Sequence, residues 1–337
     1  MRFNTEKTCL CSSRKIAESA EIRLFLGSPT MRYHSRIKDF VAPKTAQCLA
    51  VGWGKKPNTK MLNTYAKQHG IDYFRLEDGF ISYLKHPSEN DSRLSLVIDS
   101  TGIYYDATAP SDLENLLNDK QELPDDLISR SQRTMTAITS NKLSKYNHHL
   151  NQHLSDSLHK TLTNVSGDKV LLVDQTYGDM SVEYGLAGEH SFTQMLTAAL
   201  QEYPETNIFV KTHPDVLKGL KQGYLAHLKE TRITLITEDC NPIVLLEKFT
   251  HVYVVTSQLG FEALMLGKRV SCFGMPFYAG WGLTDDRVKC KRRVRKRTLL
   301  EVFAVSYLLY CKYIDPRTMR LTELESILDY LVDETND

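Results

Sequence analysis

Val170-Leu171-Leu172-Val173-Asp174-Gln175-Thr176-Tyr177-Gly178-Asp179 runs from four apolar residues straight into a polar glycine turn. An apolar run of strand length without polar alternation predicts a strand covered on both faces, hence a parallel sheet flanked by helices. The pattern repeats downstream. Apolar runs at 207–211, 233–236, 251–256 and 270–273 alternate with helix-period stretches at 192–202, 242–249 and 261–266. Upstream, runs at 22–26, 48–53, 73–76 and 94–98 alternate with helical stretches at 61–68, 111–117 and 126–139. Strands separated by helices predict βαβ units. The polar, weakly periodic segment 140–168 is the expected boundary, near residue 160, between an N-terminal α/β domain (1–160) and a C-terminal one (161–337). Segments 298–313 and 322–331, parted by the turn at Asp315-Pro316, read as two closing helices. The expected class is α/β: two Rossmann-type domains facing a cleft, with closing helices at the C-terminal end. Ligands of such sheets sit at the C-terminal ends of strands.

The 337 residues carry a net charge of +1, with 42% hydrophobic and 25% charged residues. No global field therefore selects nucleic acid or membrane. The cysteines Cys9, Cys11, Cys48, Cys240, Cys272, Cys290 and Cys311 are odd in number and irregularly spaced. That fits a reducing cytoplasm and completes no zinc site. Arg2, Glu6 and Lys7 without a long apolar run predict no signal peptide. No stretch approaches the roughly 20 apolar residues of a membrane span, so any membrane contact is expected to be peripheral. G-x-x-x-x-G-K-[ST], G-x-G-x-x-G after a strand and G-x-S-x-G are all missing. So is Asp-x-Asp spacing at a strand end, which favours a metal-free transferase over a metal-dependent one.

Five stretches carry candidate chemistry. Glu77-Asp78-Gly79 ends the run Tyr73-Phe74-Arg75-Leu76 with two carboxylates at a glycine turn. Side chains alternate along a strand, so the two should leave in different directions and share no single role. Lys211-Thr212-His213-Pro214 holds an imidazole extended before a proline, with a lysine two residues earlier. It can receive a phosphate, or it is a plain surface turn. Thr256-Ser257-Gln258-Leu259-Gly260-Phe261-Glu262 opens a helix. Ser257 is either a cap or part of an anion site, and Glu262 either a dipole partner or a ribose ligand. Gly178-Asp179 throws Asp179 into the cleft as a nucleophile or base, or else makes an Asx-turn. The glycine-rich loop from Phe273 through Tyr278 to Trp281 and Gly282 stacks on a ligand or packs between domains.

Eight of the eleven residues from Arg287 to Arg297 are basic. A solvated loop is the plainest reading of this patch and anionic lipid headgroups the next. Nucleic acid is not expected, because no aromatic residues interleave.

Together these residues resemble the KpsC-type capsule β-Kdo transferases. The matching stretches are Val51-Gly52-Trp53-Gly54-Lys55-Lys56-Pro57, 75–80, 94–99, Gly102-Ile103-Tyr104-Tyr105-Asp106-Ala107-Thr108, 173–182, 210–216, 256–267 and 273–286, in family order over most of the chain. The resemblance implies a GT-B-like pair of domains and retaining transfer of Kdo (3-deoxy-D-manno-oct-2-ulosonic acid) from CMP-Kdo, without a cofactor or metal. The implied acceptor is a Kdo-terminated (lyso)phosphatidylglycerol glycolipid. By position, the resemblance makes Asp179 the nucleophile and Glu77, with Asp78 beside it, the acid/base pair. Lys211, His213, Ser257 and Gln258 would hold the CMP phosphate and Glu262 its ribose, with Gln175, Tyr278 and Trp281 around the substrate. It implies a cytoplasmic protein, peripheral at the inner face of the inner membrane, with capsule-assembly proteins as partners. Two other classes stay open: a sialyltransferase-like enzyme using another CMP-activated acid, and a non-catalytic assembly scaffold.

The chain departs from the family in two ways. Many relatives carry an arginine where this chain reads Phe80-Ile81-Ser82-Tyr83. The best-known members also join two such modules, whereas this chain has the length of one.

Overall fold

The computed structural model describes residues 7–11, 13–33, 48–85, 91–148, 153–225 and 230–336. Arg2 and Glu6, and residues 149–152 of the expected boundary segment, lie outside these. The described strands are β1 (Thr8–Cys11), β2 (Thr30–Tyr33), β3 (Cys48–Trp53), β4 (Asp72–Asp78), β5 (Ser95–Asp99), β6 (Val170–Val173), β7 (Ile208–Lys211), β8 (Ile233–Ile236), β9 (His251–Val254), β10 (Arg269–Cys272), β11 (Asp285–Asp286), β12 (Cys311–Asp315) and β13 (Arg320–Thr322).

The second sheet runs in the order β11-β10-β9-β6-β7-β8, and all its pairs are parallel. The central β6, β7 and β9 are buried at every position. That is why they read as unbroken apolar runs. The first sheet runs β13-β12-β5-β4-β3-β1-β2. Its β2, β1, β3 and β4 are parallel, but β5 is antiparallel to β4 and β12 to β5. The architecture is thus two α/β units, each with a parallel core sheet, as expected.

Three local expectations are corrected. Residues 22–26 are not a strand; Ala20–Phe25 is a helix, capped by the Ser19 hydroxyl, which accepts from the Ile22 amide at 3.1 Å. The capping serine outweighs the short apolar run, and burial of Ile22 and Phe25 follows a helical period. Residues 298–313 are not one helix. A capping box at Thr298 and Glu301 starts Leu299–Phe303, a π-helical stretch continues through Ala304–Tyr310, and the chain then extends into β12. The uncovered side of β5 supplies a ladder for it, an instance of tertiary pairing overriding local pattern.

The third correction follows from the second. Residues 161–337 do not all belong to the second unit, because β12 and β13 complete the first sheet. The helix Leu324–Asn336 buries Leu324, Ile327, Leu328 and Leu331 and packs on β12 and on the helix Asp125–Ser140. Arg130 clamps it through Glu325 at 2.7 Å and Glu323 at 2.8 Å.

The units meet over a common apolar core. Phe80 of the first packs on Phe277 of the second at 4.7 Å, and Tyr307 stacks on Phe80 at 5.0 Å. Gln258 donates to the Phe80 carbonyl at 2.9 Å across the junction. Gly79 sits where no side chain fits. A Cβ there would lie 2.2 Å from Ser95 Oγ and 2.4 Å from Cys311 Sγ. The carboxylate turn is thereby fixed against both the second unit and the returning C-terminal strand.

Candidate active site

A cavity of about 630 Å³ opens between the C-terminal ends of the two sheets. Glu77, Asp78, Gln175, Asp179, Lys211, His213, Ser257, Gln258 and Glu262 all line it. Residues more than 180 positions apart in sequence therefore share one wall.

Glu77 and Asp78, the last residues of β4, have different partners. Glu77 Oε1 accepts from the Trp53 indole at 2.9 Å, because the β3–β4 register sets Trp53 beside Leu76. Burial, and then the adjacent Asp78 charge, push the Glu77 carboxyl up to about 7. Asp78 is ion-paired to Arg93 at 2.8 Å and accepts from the Tyr83 hydroxyl at 2.9 Å. Glu77 is therefore poised to exchange a proton near neutrality. Asp78 is committed to Arg93 and Tyr83 and acts as a fixed negative neighbour.

Asp179 follows β6 through a turn in which Gly178 adopts φ +79°, a conformation costly for other residues. Its Oδ1 caps the helix Met180–Tyr184 by accepting from the Ser181 amide at 2.8 Å. Oδ2 lies 3.4 Å from the Gln175 amide nitrogen. Capping and a place on the cavity wall are thus compatible. Gln175 is the brace: Oε1 accepts from the Thr256 amide at 2.9 Å and Nε2 donates to the Thr256 hydroxyl at 3.0 Å, locking the β6 loop to the end of β9.

Lys211 ends β7, is buried, and makes no ion pair among the described residues. The Asp215 amide donates to His213 Nδ1 at 3.1 Å, so a neutral ring carries its proton on Nε2. Burial lowers the His213 pKa, against the pull of Asp215 and Asp179. A buried ammonium and an Nε2–H at neighbouring strand-end positions form an anion-receiving pair.

Glu262 is buried, and its Oε2 has no hydrogen-bond partner among the described residues. Burial raises its pKa to about 8, opposed by Lys145, Gln258 and Lys211. An orphan acceptor on a cavity wall suits a ligand hydroxyl. Ser257 Oγ accepts from the Leu259 amide at 3.2 Å and so shapes the turn. The Gln258 side-chain nitrogen donates to the Phe80 carbonyl at 2.9 Å and lies 3.5 Å from Glu262 Oε1.

Two expected substrate residues are elsewhere. Tyr278 and Trp281 are fully buried and do not line the cavity. The Tyr278 hydroxyl donates to the Ser257 carbonyl at 2.6 Å and the Trp281 indole to the Phe277 carbonyl at 2.9 Å. Their loop is core, held by Arg293 donating to the Pro276 and Ala279 carbonyls. The basic run is likewise half structural. Arg292 and Arg293 converge on Glu114 at 2.6 and 3.2 Å, Arg297 pairs with Glu301 at 2.7 Å, and Arg287 with Glu202 at 2.6 Å. Lys289, Lys291 and Lys296 remain exposed. No helix among the described residues is long and apolar enough to cross a membrane.

Sequence reasoning missed Lys145 as a site residue. It lines the cavity from the polar segment after the helix Asp125–Ser140, where no motif marks it. Trp53 and Tyr104 also line the wall; both lie in family-like stretches but were given no role.

The capsule polysaccharide biosynthesis protein family matches residues 48–313. The chain is 44% identical over 289 residues to the capsule polysaccharide modification protein LipA of Neisseria meningitidis serogroup B, covering 83% of this chain and 40% of that protein. It is 36% identical to the lipopolysaccharide-processing protein LpsZ of Rhizobium meliloti, covering 85% of this chain and 64% of that one. The chain thus spans less than two thirds of these curated relatives. Among solved structures it matches the beta Kdo 2,4 transferase of Thermosulfurimonas dismutans KpsC with a TM-score of 0.86, at 40% identity over 98% of both chains. The beta Kdo 2,7 transferase of the same KpsC matches at 0.73 and 26% identity, over 98% of this chain and 100% of that one.

Proposed function

The chain belongs to the capsule polysaccharide biosynthesis family, and from that premise we propose that it is a retaining β-Kdo glycosyltransferase. The donor is CMP-Kdo and the acceptor a Kdo-terminated (lyso)phosphatidylglycerol glycolipid. One observation carries this reading. Asp179 of the second unit and Glu77 of the first line a single cavity, with Lys211 and His213 at the neighbouring strand end. The likeness to KpsC transferases supports the sugar, and the higher identity to the 2,4 enzyme favours that linkage.

The chemistry follows from the placement. A carboxylate oxygen of Asp179 bonds to the anomeric carbon of Kdo while the bond from that carbon to the phosphate oxygen breaks. The electron pair leaves on CMP, whose phosphate Lys211 and His213 Nε2–H receive. Glu77 then takes the proton of the acceptor hydroxyl, whose oxygen attacks the same carbon and expels Asp179. Two inversions restore the configuration. A carboxyl near 7 is a competent base at neutral pH. No metal is needed in this reading, since the Lys211 ammonium supplies positive charge and the neutral His213 ring a hydrogen-bond donor. The exposed Lys289, Lys291 and Lys296, around an exposed Val294, would hold the protein at an anionic cytoplasmic membrane face where the glycolipid and assembly partners reside.

The test is intact-mass analysis after incubation with CMP-Kdo alone. A covalent adduct of one Kdo that maps to Asp179 and disappears on adding acceptor supports the reading. CMP release without an adduct removes double displacement. Consumption of CMP-sialate but not CMP-Kdo points to the other sugar acid, and no binding of either to a scaffold.

A further inference from the structure

Lys145 stands in a rigid frame beside the carboxylate turn. Its carbonyl accepts from the Ser82 and Tyr83 amides at 3.0 and 3.3 Å. Two residues on, the Asn147 side chain donates to the Tyr83 carbonyl at 2.9 Å. Backbone from both sides therefore fixes where Lys145 begins, immediately next to Glu77-Asp78-Gly79.

The side chain lines the cavity, yet among the described residues its ammonium makes no ion pair and no hydrogen bond. The Tyr146 ring lies 5.7 Å from Nζ. Burial works against its charge, but the acidic groups around it, Asp78 and Glu77 among them, offset burial and leave its pKa above the ordinary lysine value. A charged, half-buried lysine on a ligand cavity, with no direct ion pair among the described residues, has its hydrogen-bond donors free for an anionic ligand.

Which anion is a matter of position. Lys211 approaches from β7 of the second unit and Lys145 from the first. Glu262 feels both ammonium groups, and Glu77 feels Lys145. Lys145 lines the same cavity as Glu77, Lys211 and Glu262, and so can reach a ligand held between the proposed proton-transfer residue and the nucleotide side. A CMP-activated ulosonic acid brings two anions, the phosphodiester and the sugar carboxylate, and both attach to the anomeric carbon. With Lys211 and His213 serving the phosphate, the second cation falls where the second anion must lie.

We propose that Lys145 recognises the carboxylate of the transferred sugar, and so makes the site selective for nucleotide-activated sugar acids over neutral sugars. This rests on the transferase reading above.

Equilibrium binding of CMP and of CMP-Kdo to the full chain tests it. An Asp179→Asn background blocks transfer and keeps the helix cap, because asparagine caps as well as aspartate. In that background, Lys145→Met should leave the Kd for CMP within about twofold and weaken CMP-Kdo at least tenfold, as expected for loss of a charged hydrogen bond. Lys145→Arg should recover most of the difference. Unchanged CMP affinity also shows that the variant is folded. Equal CMP-Kdo affinity with and without Lys145 overturns the inference. So does equal loss of CMP and CMP-Kdo, which marks a structural role. A shift of the Glu77-dependent pH limb with unchanged CMP-Kdo affinity also overturns it, leaving Lys145 as a partner of Glu77. If the parent protein binds CMP-Kdo no better than CMP, the transferase reading itself has failed, and that is visible before any Lys145 variant is made.

Discussion

Trp53→Phe is the change that most directly probes the proposed base. It keeps an aromatic ring between Arg93, 4.7 Å away, and Lys56, 5.9 Å away, and removes only the indole N–H that donates to Glu77 Oε1 at 2.9 Å. That bond favours the ionised carboxylate, so its loss raises the Glu77 pKa. Its influence is smaller than that of burial or of Asp78, so the low end of the range for a hydrogen bond to a charge applies, about 1.5 kcal/mol. At 1.36 kcal/mol per unit this is about one unit, from about 7 to about 8.

The base must be deprotonated, so the rate falls as pH drops through the pKa. At pH 7 the active fraction should fall from about one half to about one tenth, a loss of roughly fivefold. At pH 9 both proteins are largely deprotonated and their rates should converge. The assay is the initial rate of Kdo transfer at saturating donor, from pH 6 to pH 9. An unmoved limb would refute the assignment of Glu77. So would a loss that is equal at pH 7 and pH 9, or an acidic limb that survives Glu77→Gln.

Four further outcomes are expected. Asp179→Asn should abolish both transfer and the trapped adduct while the melting temperature barely moves; Asp179→Ala should in addition lose about 1 kcal/mol of stability with the cap, read by urea denaturation. Glu114→Ala should cost about 3–5 kcal/mol, because it leaves the Arg293 guanidinium, 2% exposed, without its carboxylate; a shift under about 1 kcal/mol would mean the strap between the units carries little. Glu262→Gln should stabilise the free protein by up to about 4 kcal/mol at pH 8 and weaken CMP binding. Its folded pKa of about 8 lies above the ordinary 4.5, so stability from this group is complete below pH 4.5 and lost as pH rises toward 8; a gain that persists at pH 4 would contradict this origin. Chelation with EDTA should leave the transfer rate within about twofold, and a larger loss restored by a divalent cation would refute the metal-free reading.

The second sheet was legible because burial on both faces writes itself as apolar runs, and β7 and β9 were placed to within a few residues. The first sheet was harder for a physical reason. β2 is an edge strand exposed or half-exposed throughout, so it carries no apolar run. β12 extends because β5 offers an open ladder 214 to 218 residues earlier in the chain, at registers such as Cys311 with Val97 and Tyr313 with Ser95. Site residues at strand ends (Glu77, Asp179, Lys211 and His213) could be found because strand-end position is itself a signal. Lys145 could not, since its place depends on long-range backbone bonds to Ser82 and Tyr83. The aromatic glycine-rich loop misled in the other direction. Its composition suits a ligand platform, but Arg293 and the bond from the Gly280 amide to Asp286 at 2.8 Å make it a rigid core element.

The division of labour between Glu77 and Asp78 shows how the returning C-terminal strand reaches the chemistry. Only glycine fits at position 79, after the two carboxylates, because Ser95 Oγ and Cys311 Sγ occupy the space a side chain would need. Ser95 is fixed by its bond to the Ile81 carbonyl at 2.5 Å. Cys311 is fixed by the pairing of β12 with β5. At the same turn Arg93 and Tyr83 hold Asp78 and keep its charge beside Glu77. That charge is the second-largest cause raising the Glu77 pKa, after burial itself. A strand contributed by the far end of the chain thus fixes the turn that follows the carboxylate pair, while burial and the neighbouring Asp78 bring Glu77 to a pKa near neutrality.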